Sequence, residues 1–240
     1  MNKITPLVKK EVRSYFNSPI AYVVIIFFLF FTAGWLFFIE QFFAADYASL
    51  RAYFNTFPLL LVLLIPAVTM RSWAEERRSR TDELLLTLPV RETDLVIGKF
   101  AAAFVLLIII LIFTLPVPFS LLPLGDFSIG EIAGQFEGSI LLLAAGLSIG
   151  LCVSSLSKNQ ISSFLSSLFL LLLLTISWRL TMFSGLPPAV SAFFRYVSLQ
   201  YHFQSFTRGI IDTRDVAFFI LVTWAGLYLN VKIIAARRWR

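Results

Sequence analysis

Few side chains in this 240-residue sequence could do chemistry, and the first candidate is its single histidine. His202 could act as the base for a serine nucleophile, since several serines lie near it in the sequence. A lone histidine on the polar side of a helix is more often an ordinary interfacial residue, which is the interpretation we favour. One histidine and one cysteine exclude His-based and thiolate metal sites. Cys152 lies in an apolar run, as is typical of a small packing residue.

Two further features of the sequence could contribute chemistry. Glu131 and Glu137 could form a carboxylate pair, but residues six apart on a helix do not share a face, so anchoring at a membrane interface is favoured. The Gly98–Lys99 pair suggests a phosphate-binding loop, which needs an earlier glycine and a following Ser or Thr. Thr93 and Phe100 occupy those positions. We therefore expect no catalytic, metal-binding or cofactor-binding residues, and no ATP bound in this way.

The charged residues are concentrated in one stretch, 71–99, where twelve of twenty-nine positions are charged. Opposite charges three and four apart over 73–80 favour a helix. A capping pattern at Ser79 and Asp82 predicts a second short helix over 80–88, ended by Pro89. A leucine-bearing helix of this kind could fold back against the bilayer or insert into a groove of another protein. The residues alone leave both fates open.

The composition predicts an all-α integral membrane protein. Hydrophobic residues make up 58% of the chain and charged residues 14%, which is typical of membrane proteins. Six nearly charge-free segments approach the ~20 residues needed to cross a ~30 Å hydrocarbon core as a helix. We predict one transmembrane domain over residues 1–240. The predicted spans are about 20–39, 52–70, 99–124, 130–157, 161–182 and 216–236.

The N-terminal residues 2–18 carry basic side chains, and their apolar residues recur mostly at helical spacing. This pattern predicts an amphipathic helix on the membrane surface, with a solvated basic tail as the alternative. The apolar run that follows is too long for a signal peptide and lacks a small-residue cleavage pattern, so we expect it to remain as span 1. Pro58 and Pro66 predict a kink in span 2, and the prolines from Pro116 to Pro123 a tilt or break in span 3.

Span 4 carries small residues at an almost unbroken spacing of four. Such a ridge lets another helix approach closely. The approaching helix could belong to the same chain or to a second copy, and the pattern does not select between them. The candidate packing or dimer residues are Gly134, Gly138, Gly146 and Gly150.

Between spans 5 and 6, residues 187–208 place apolar and polar side chains on two helical faces. This periodicity predicts an interfacial or re-entrant helix rather than a loop. Gly209 is well placed to end that helix. The candidate residues of this outer segment are Arg195, His202, Phe206, Arg208 and Asp212.

The distribution of basic residues predicts the orientation. Fifteen of the twenty Lys and Arg residues lie on the same side as the N-terminus, which favours cytoplasmic termini by the positive-inside rule. Residues 71–98 then form a cytoplasmic loop, and 187–208 lie outside. The net charge of +6 needs no nucleic-acid partner, because anionic lipid head groups attract basic residues on the inner side.

Ten residues of the charged loop stand in a recognisable order: Glu75, Glu76, Arg77, Thr81, Glu83, Leu84, Leu85, Pro89, Gly98 and Lys99. This order resembles the first cytoplasmic loop of the ABC type-2 exporter permeases. The N-terminal stretch KKEVRSYFNSPIAY and the later YVSLQYHFQSFTRGIIDTRD are similar to a narrower subgroup. That subgroup includes gliding-motility permeases and the permease of the nitrous-oxide-reductase accessory transporter.

The resemblance implies a non-catalytic permease of the bacterial inner membrane. Two permease chains, as a homodimer or heterodimer, would work with two copies of a cytoplasmic ATPase that binds the ATP and Mg. The first loop would form the coupling helix that docks on this ATPase, and re-entrant helices would lie outside. A membrane-anchored accessory subunit with a large outer domain is a further partner candidate. The residues assigned to coupling are Trp73, Glu75, Glu76, Arg77, Arg78, Thr81, Glu83, Leu84, Leu85 and Pro89.

Three hypotheses follow, and the first is favoured. The chain is the permease subunit of an ATP-driven exporter. The alternative is a scaffold that uses ATP hydrolysis for mechanical or assembly work and moves no substrate. The third, a lipid-modifying enzyme, depends on His202 and the nearby serines alone. Nothing in the apolar, Phe-rich spans selects a substrate.

Overall fold

The computed structural model describes residues 4–40, 42, 49–78, 91–182 and 187–238. All regular structure in these residues is helical, and no strand occurs among them. Six helical stretches are long and apolar enough to cross a membrane. The predicted all-α membrane fold with six spans is therefore confirmed. The stretches are Pro19–Ile39, Phe57–Arg77, Glu92–Leu124, Ile129–Leu156, Gln160–Thr181 and Thr213–Arg237.

The helices of the described residues are numbered in chain order. One π-helical turn is Trp35–Ile39, and two 3-10 turns are Leu122–Leu124 and Ser177–Met182. The α-helices are α1 (Ile4–Phe16), α2 (Pro19–Gly34), α3 (Arg51–Asn55), α4 (Phe57–Thr69), α5 (Ala74–Arg78), α6 (Glu92–Thr114), α7 (Pro116–Leu121), α8 (Ile129–Leu156), α9 (Gln160–Ile176), α10 (Pro188–Val197), α11 (Leu199–Thr207) and α12 (Thr213–Arg238).

Local sequence signals set several helix boundaries. The side chains of Ser128 and Asn159 accept backbone N–H groups in the first turns of α8 and α9, which satisfies donors that lack partners inside the helix. Pro116 begins α7 directly after α6 ends, because proline cannot continue the hydrogen-bond ladder. Span 2 is divided at Thr56 into α3 and α4, and Pro66 lies inside α4.

Helix α8 lies at the centre of the bundle. It packs against α4, α6, α9, α11 and α12. The buried share of each span was taken over an apolar stretch of 18 residues. It is 61% in α8 and 67% in the span that contains α4, compared with 22% in the spans of α2 and α12. A helix surrounded by other helices is buried on all sides, whereas a peripheral one presents apolar side chains to lipid. Helices α2, α9 and α12 are therefore the peripheral spans.

The glycines of α8 admit neighbours from the same chain. A Cβ added at Gly138 would lie 2.4 Å from the Cβ of Phe206 on α11, and one at Gly150 would lie 2.8 Å from Thr69 Oγ1 on α4. Gly146 faces Ile65 of α4, and Gly134 faces the backbone of Gly209. Small residues allow this close approach. The ridge predicted from the sequence thus receives α4 and the segment at α11, and a contact between two copies stays a prediction.

The bundle has two ends, which we name the α1 side and the α11 side. Helices α1 and α5, the start of α6 and the end of α8 meet on the α1 side. Helices α10 and α11, the end of α9 and the start of α12 meet on the α11 side. Helix α1 packs against α6 and α2, and its predicted position on a membrane surface stays a prediction.

Candidate functional site

The α1 side contains a buried ion cluster centred on Lys99. The Lys99 Nζ lies 2.6 Å from Glu76 Oε1 and 3.3 Å from Glu11 Oε1, and the lysine side chain is 2% exposed. The same ammonium group lies 5.0 Å from the ring centroid of Trp73. We name Glu11, Trp73, Glu76 and Lys99 the Lys99 cluster. It joins α1, α5 with the residue before it, and α6 at one point.

The Lys99 cluster has a clear physical basis. A buried ammonium is tolerated only where other groups replace its lost hydration, and here two carboxylates and one aromatic face do so. Removing one partner of a buried ion pair leaves an uncompensated charge, so the groups depend on one another. The contacts of Lys99 therefore hold α1, α5 and the start of α6 together.

Gly98 gives α1 the room to reach Lys99. A Cβ added at Gly98 would lie 2.4 Å from Leu7 Cδ2. Leu7 packs against a small apolar cluster that includes Trp73, Leu95 and Val96. Gly98 therefore leaves room for α1, and the neighbouring Lys99 forms an ion pair with Glu11 of α1. The pair that does not fit a phosphate-binding loop is thus a contact site for α1.

Two further bonds connect the N-terminal part of the chain to the residues after α4. Tyr15 Oη and Ser72 Oγ lie 3.2 Å apart, and Arg71 Nη1 donates to Ser18 Oγ at 2.8 Å. Burial raises the pKa of Tyr15 to about 12, so its hydroxyl stays un-ionised at neutral pH. Residues 71 and 72 are therefore held by the end of α1 and the start of α2.

Arg77 binds the carboxyl end of the central helix. Its guanidinium donates to the backbone carbonyls of Ser155 and Ser157. The last carbonyls of a helix lack intrahelical partners and carry partial negative charge, so a cation is favourable there. In addition, the backbone N–H of Trp73 donates to Ser154 Oγ at 3.3 Å. The segment 71–78 is thus bonded to α8 as well as to α1 and α6.

On the α11 side, a buried histidine connects three helices. His202 is 4% exposed; its Nδ1 lies 2.7 Å from Asp215 Oδ1 and its Nε2 lies 3.0 Å from the Tyr196 carbonyl oxygen. The ring stacks on Phe218 at a centroid distance of 3.8 Å. Each ring nitrogen therefore has an oxygen partner within hydrogen-bond distance, one on a side chain and one on the backbone. The imidazole joins α10, α11 and α12.

The end of α11 is seated on the start of α8. Gln135 Nε2 donates to the Thr207 carbonyl at 2.8 Å. Gly209 follows α11 with φ of +71°, and a Cβ there would lie 2.7 Å from the Cα of Glu131. A positive φ favours glycine because it has no Cβ to clash. Glu131, expected to anchor at an interface, also accepts from Arg51 Nε at 2.8 Å.

Among the described residues, the bonds of His202 oppose its role as a catalytic base. Both ring nitrogens of His202 already have partners in Asp215 and the Tyr196 carbonyl, so a serine nucleophile would have to displace one of them. Across residues 4–40, 42, 49–78, 91–182 and 187–238, no three His, Cys, Asp or Glu side chains are placed to hold a metal ion.

Comparison with known proteins identifies the family. Residues 5–236 match the family model described as ABC-2 family transporter protein. The chain belongs to this family. The family is generally the non-catalytic membrane subunit of an ABC transporter, and it implies an ATPase partner. No curated protein matches the chain at a significant level. The narrower subgroup suggested by the sequence stays a prediction.

The predicted coupling residues of this ABC-2 permease fall into two groups. Trp73 and Glu76 belong to the Lys99 cluster, Arg77 binds α8, and Glu75 Oε2 lies 3.7 Å from Arg71 Nε. Arg78 is the last residue of α5. The others lie outside the described residues, as does the predicted helix over 80–88; they are Thr81, Glu83, Leu84, Leu85 and Pro89.

One prediction for the segment 187–208 of the permease is wrong. The segment forms two helices, α10 and α11, which Ser198 separates. The Ser198 hydroxyl accepts from Tyr201 N at 3.4 Å and donates to the Thr175 carbonyl at 3.0 Å. His202 was expected to be interfacial but is buried, since Asp215 at the start of α12 supplies a partner inside the bundle.

The other candidate residues of the segment between spans 5 and 6 differ in how far their side chains are exposed. Phe206 is fully buried beside Gly138, whereas Arg195 and Arg208 are exposed. The Arg195 guanidinium lies 5.2 Å from the ring centroid of Tyr201. Asp212 Oδ1 accepts from the Arg214 backbone N–H at 2.9 Å, at the start of α12.

Sequence reasoning assigned no site role to three residues of the two sites: Glu11, Lys99 and Asp215. Lys99 had an available signal, because a charge at the start of a long apolar helix needs a partner in the protein. Glu11 had none, since it is one charge among several in a mixed N-terminal helix. Asp215 resembled an ordinary acidic residue in the first turn of a helix.

Gly138→Val in this permease is expected to lower the unfolding free energy by about 1–3 kcal/mol, the usual cost of overpacking a core. A Cβ there would lie 2.4 Å from both Cβ and Cγ of Phe206, so α11 must move away from α8. Thermal unfolding of the purified protein in detergent measures the change. Gly130→Val is the matched control on the same helix, because only Ser128 Oγ, at 3.9 Å, would approach its Cβ. Equal Tm values for the two variants would contradict the close contact between Gly138 of α8 and Phe206 of α11.

Proposed function

We propose that this chain is the permease subunit of an ATP-driven ABC exporter, in which residues 71–89 receive force from a separate ATPase. The observation that carries the proposal is the bonding of segment 71–78 to three helices at once. Lys99 connects it to α1 and α6, and Arg77 connects it to α8. A displacement of this segment is therefore shared by the N-terminal helix, span 3 and the central span.

In the proposed mechanism, closure of an ATPase dimer pushes on the predicted coupling helix at 80–88. The push reaches α8 through Arg77 and α6 through the Lys99 cluster. Helix α8 packs against α11 and α12, so its movement also changes the α11 side. Packed interfaces switch between discrete arrangements rather than deforming continuously, which lets a small displacement at one end produce a change at the other.

The proposed orientation places the α1 side in the cytoplasm of a bacterial inner membrane, with both termini inside. Fifteen of twenty Lys and Arg residues are assigned to that side, as the positive-inside rule requires. The functional unit contains two permease copies and two ATPase subunits, which hold ATP and Mg. An accessory membrane subunit with an outer domain is a further proposed partner, in keeping with the gliding-motility and nitrous-oxide-reductase subgroup.

A scaffold without a transported substrate is the second candidate. The observation that favours it is the firm attachment of the α10–α11 segment: His202 holds α12, and the Ser177 hydroxyl donates to the Phe194 carbonyl at 3.1 Å. Such an attachment could transmit a conformational signal to an outer partner. Vesicles reconstituted with the ATPase separate the two candidates, because a scaffold hydrolyses ATP without moving any of the offered substrate classes.

Arg77→Ala tests the coupling role. Hydrogen bonds from a charged group contribute about 1.5–3 kcal/mol each, so losing them is expected to reduce permease-dependent stimulation of the ATPase about tenfold. Co-purification of the ATPase encoded beside this chain should persist, since the predicted docking helix is unchanged. Measurements use the reconstituted complex, with ATP turnover and co-purification recorded for each variant.

Two matched variants sharpen this test. Arg91→Ala removes an exposed arginine at the start of α6 and should leave stimulation unchanged. Combined Thr81→Ala, Glu83→Ala and Leu84→Ala should instead abolish co-purification. If Arg77→Ala stimulates the ATPase as well as the unaltered chain does, force does not pass from this segment to α8.

A further inference from the structure

A cavity of about 800 Å³ lies on the α11 side of the bundle, away from the two clusters. It lies between α2 and α9, which both pack against α4. One face of α2 and its π-helical turn, one face of α3 and α4, the end of α9 and two glutamines of α11 line it. The volume falls within the ~300–1,000 Å³ typical of small-molecule sites.

The lining changes from apolar to charged along the cavity. Glu40, at the end of span 1, and Arg179, in the turn after α9, line the end nearest α10 and α11. Asn55 and Gln200, whose amide groups are joined by a 2.9 Å hydrogen bond, line the same end. The opposite end contains Phe30, Phe31, Leu59 and Leu60.

The cavity extends to about the depth of one membrane leaflet. Phe30 and Glu40 are ten residues apart, which corresponds to about 15 Å along a helix at ~1.5 Å per residue. That length is about half of a ~30 Å hydrocarbon core. The charged end therefore lies at head-group level when the apolar end lies near the membrane centre.

The cavity is open to the surroundings of the bundle. Phe30 is 72% exposed and Leu59 is 50% exposed, so the apolar walls face the region that lipid chains would occupy. A molecule can thus enter sideways from the leaflet on the α11 side.

The two charges in the cavity are available to a ligand. Within the described residues, neither Glu40 nor Arg179 forms an ion pair with another side chain. Glu40 Oε1 accepts from the Trp35 indole N–H at 3.1 Å, and the Arg179 guanidinium lies 5.8 Å from the ring centroid of Trp178. An anionic and a cationic group at one end, above an apolar slot, complement a molecule with both charges in its head and an apolar tail.

We propose that this cavity binds one zwitterionic phospholipid from the leaflet on the α11 side. Its phosphate contacts Arg179, because guanidinium groups bind phosphate with charge-assisted hydrogen bonds. Its ammonium contacts Glu40, and an acyl chain lies along Phe31 and Leu59. Binding requires neither the ATPase nor nucleotide, and it is independent of the coupling role proposed above.

Binding is tested on the purified chain alone, with phosphatidylethanolamine and phosphatidylglycerol of identical acyl chains, by native mass spectrometry. The chain is expected to retain phosphatidylethanolamine about tenfold better, since Glu40 repels the anionic lipid. Glu40→Gln should remove the preference, and Arg179→Gln should weaken both lipids. Gly34→Leu should reduce binding about tenfold, because Gly34 lines the cavity and nothing lies within 4 Å of an added Cβ.

Gly130→Leu, a glycine at the start of α8 and away from the cavity, is the matched control and should bind lipid normally. Light scattering records the oligomeric state of each variant. If Gly34→Leu binds lipid as the unaltered chain does, or if the two lipids bind equally, the proposal is wrong. If Gly34→Leu changes only the oligomeric state, a second copy occupies the cavity and the lipid proposal is overturned. Because no ATPase is present, either result leaves the coupling proposal to its own test.

Discussion

Lys99→Met is expected to lower the free energy of unfolding by about 3–5 kcal/mol, because it leaves two carboxylates in a buried site without their ammonium partner. Lys99 is 2% exposed, and the side chains of Glu11 and Glu76 are each 16% exposed. Methionine keeps the unbranched apolar stem, so lost packing contributes little. Thermal unfolding in detergent should show a Tm lower by at least about 6 °C, at ~2 °C per kcal/mol for a chain of this size.

Lys158→Met is the matched control for this variant. Lys158 is exposed in the turn between α8 and α9, so removing its charge should change stability by less than about 0.5 kcal/mol. Equal Tm values for the two lysine variants would show that the Lys99 cluster contributes nothing to the fold.

A rescue variant separates charge from packing. Glu11→Gln combined with Lys99→Met and Glu76→Gln removes all three charges, and replacing a buried ion cluster by neutral groups is often tolerated. We expect it to regain at least half of the stability that Lys99→Met loses. A triple variant whose loss equals the sum of the three single losses would contradict the mutual dependence of these groups, because independent sites add and coupled ones do not.

His202→Leu carries the second large effect, an expected loss of about 3–5 kcal/mol. The substitution removes the partner of Asp215, which is 7% exposed, and the stacked contact with Phe218. Its effect should be greatest at the junction of α10, α11 and α12. Tm measures the overall loss, and hydrogen exchange of the amides in residues 196–207 reports the local opening.

Arg208→Leu controls for this substitution, since Arg208 is exposed in the turn after α11. It should cost less than about 1 kcal/mol. The double variant His202→Leu with Asp215→Leu should recover part of the stability, because no charge is then buried. If the double variant loses as much unfolding free energy as the two single variants lose together, His202 and Asp215 do not act as a pair.

The Lys99 cluster and the His202–Asp215 pair lie at opposite ends of the helix bundle, on the α1 side and the α11 side. The Lys99 cluster and Arg77 hold the segment that follows α4, whereas His202 connects α10 and α11 to the start of α12. Helix α8 connects them, since it contacts Arg77 at its carboxyl end and Phe206 near its amino end. A variant on the α1 side can therefore be used to measure whether the packing on the α11 side changes.

Local patterns predicted much of the fold. Long apolar runs predicted six spanning helices, the prolines from Pro116 to Pro123 predicted a tilt or a break, and Gly209 predicted a stop. These predictions succeed because length, hydropathy and backbone preference act within a few residues. The exposure of the outer segment was predicted wrongly at His202. Ser198 and His202, on the polar side of that segment, form their hydrogen bonds inside the bundle. Periodicity cannot distinguish a face that contacts water from one that contacts another helix.

The sequence by itself determined the class of protein, the number of spans, the place of the charged break and the absence of a phosphate-binding loop. Only the tertiary structure decided which charges pair. Glu11 and Lys99 are 88 residues apart, and their pairing depends on how α1 and α6 are rotated and positioned against each other. That arrangement results from close packing at Gly98 and Leu7, since the energy of such contacts depends on three-dimensional fit rather than on the order of residues along either helix.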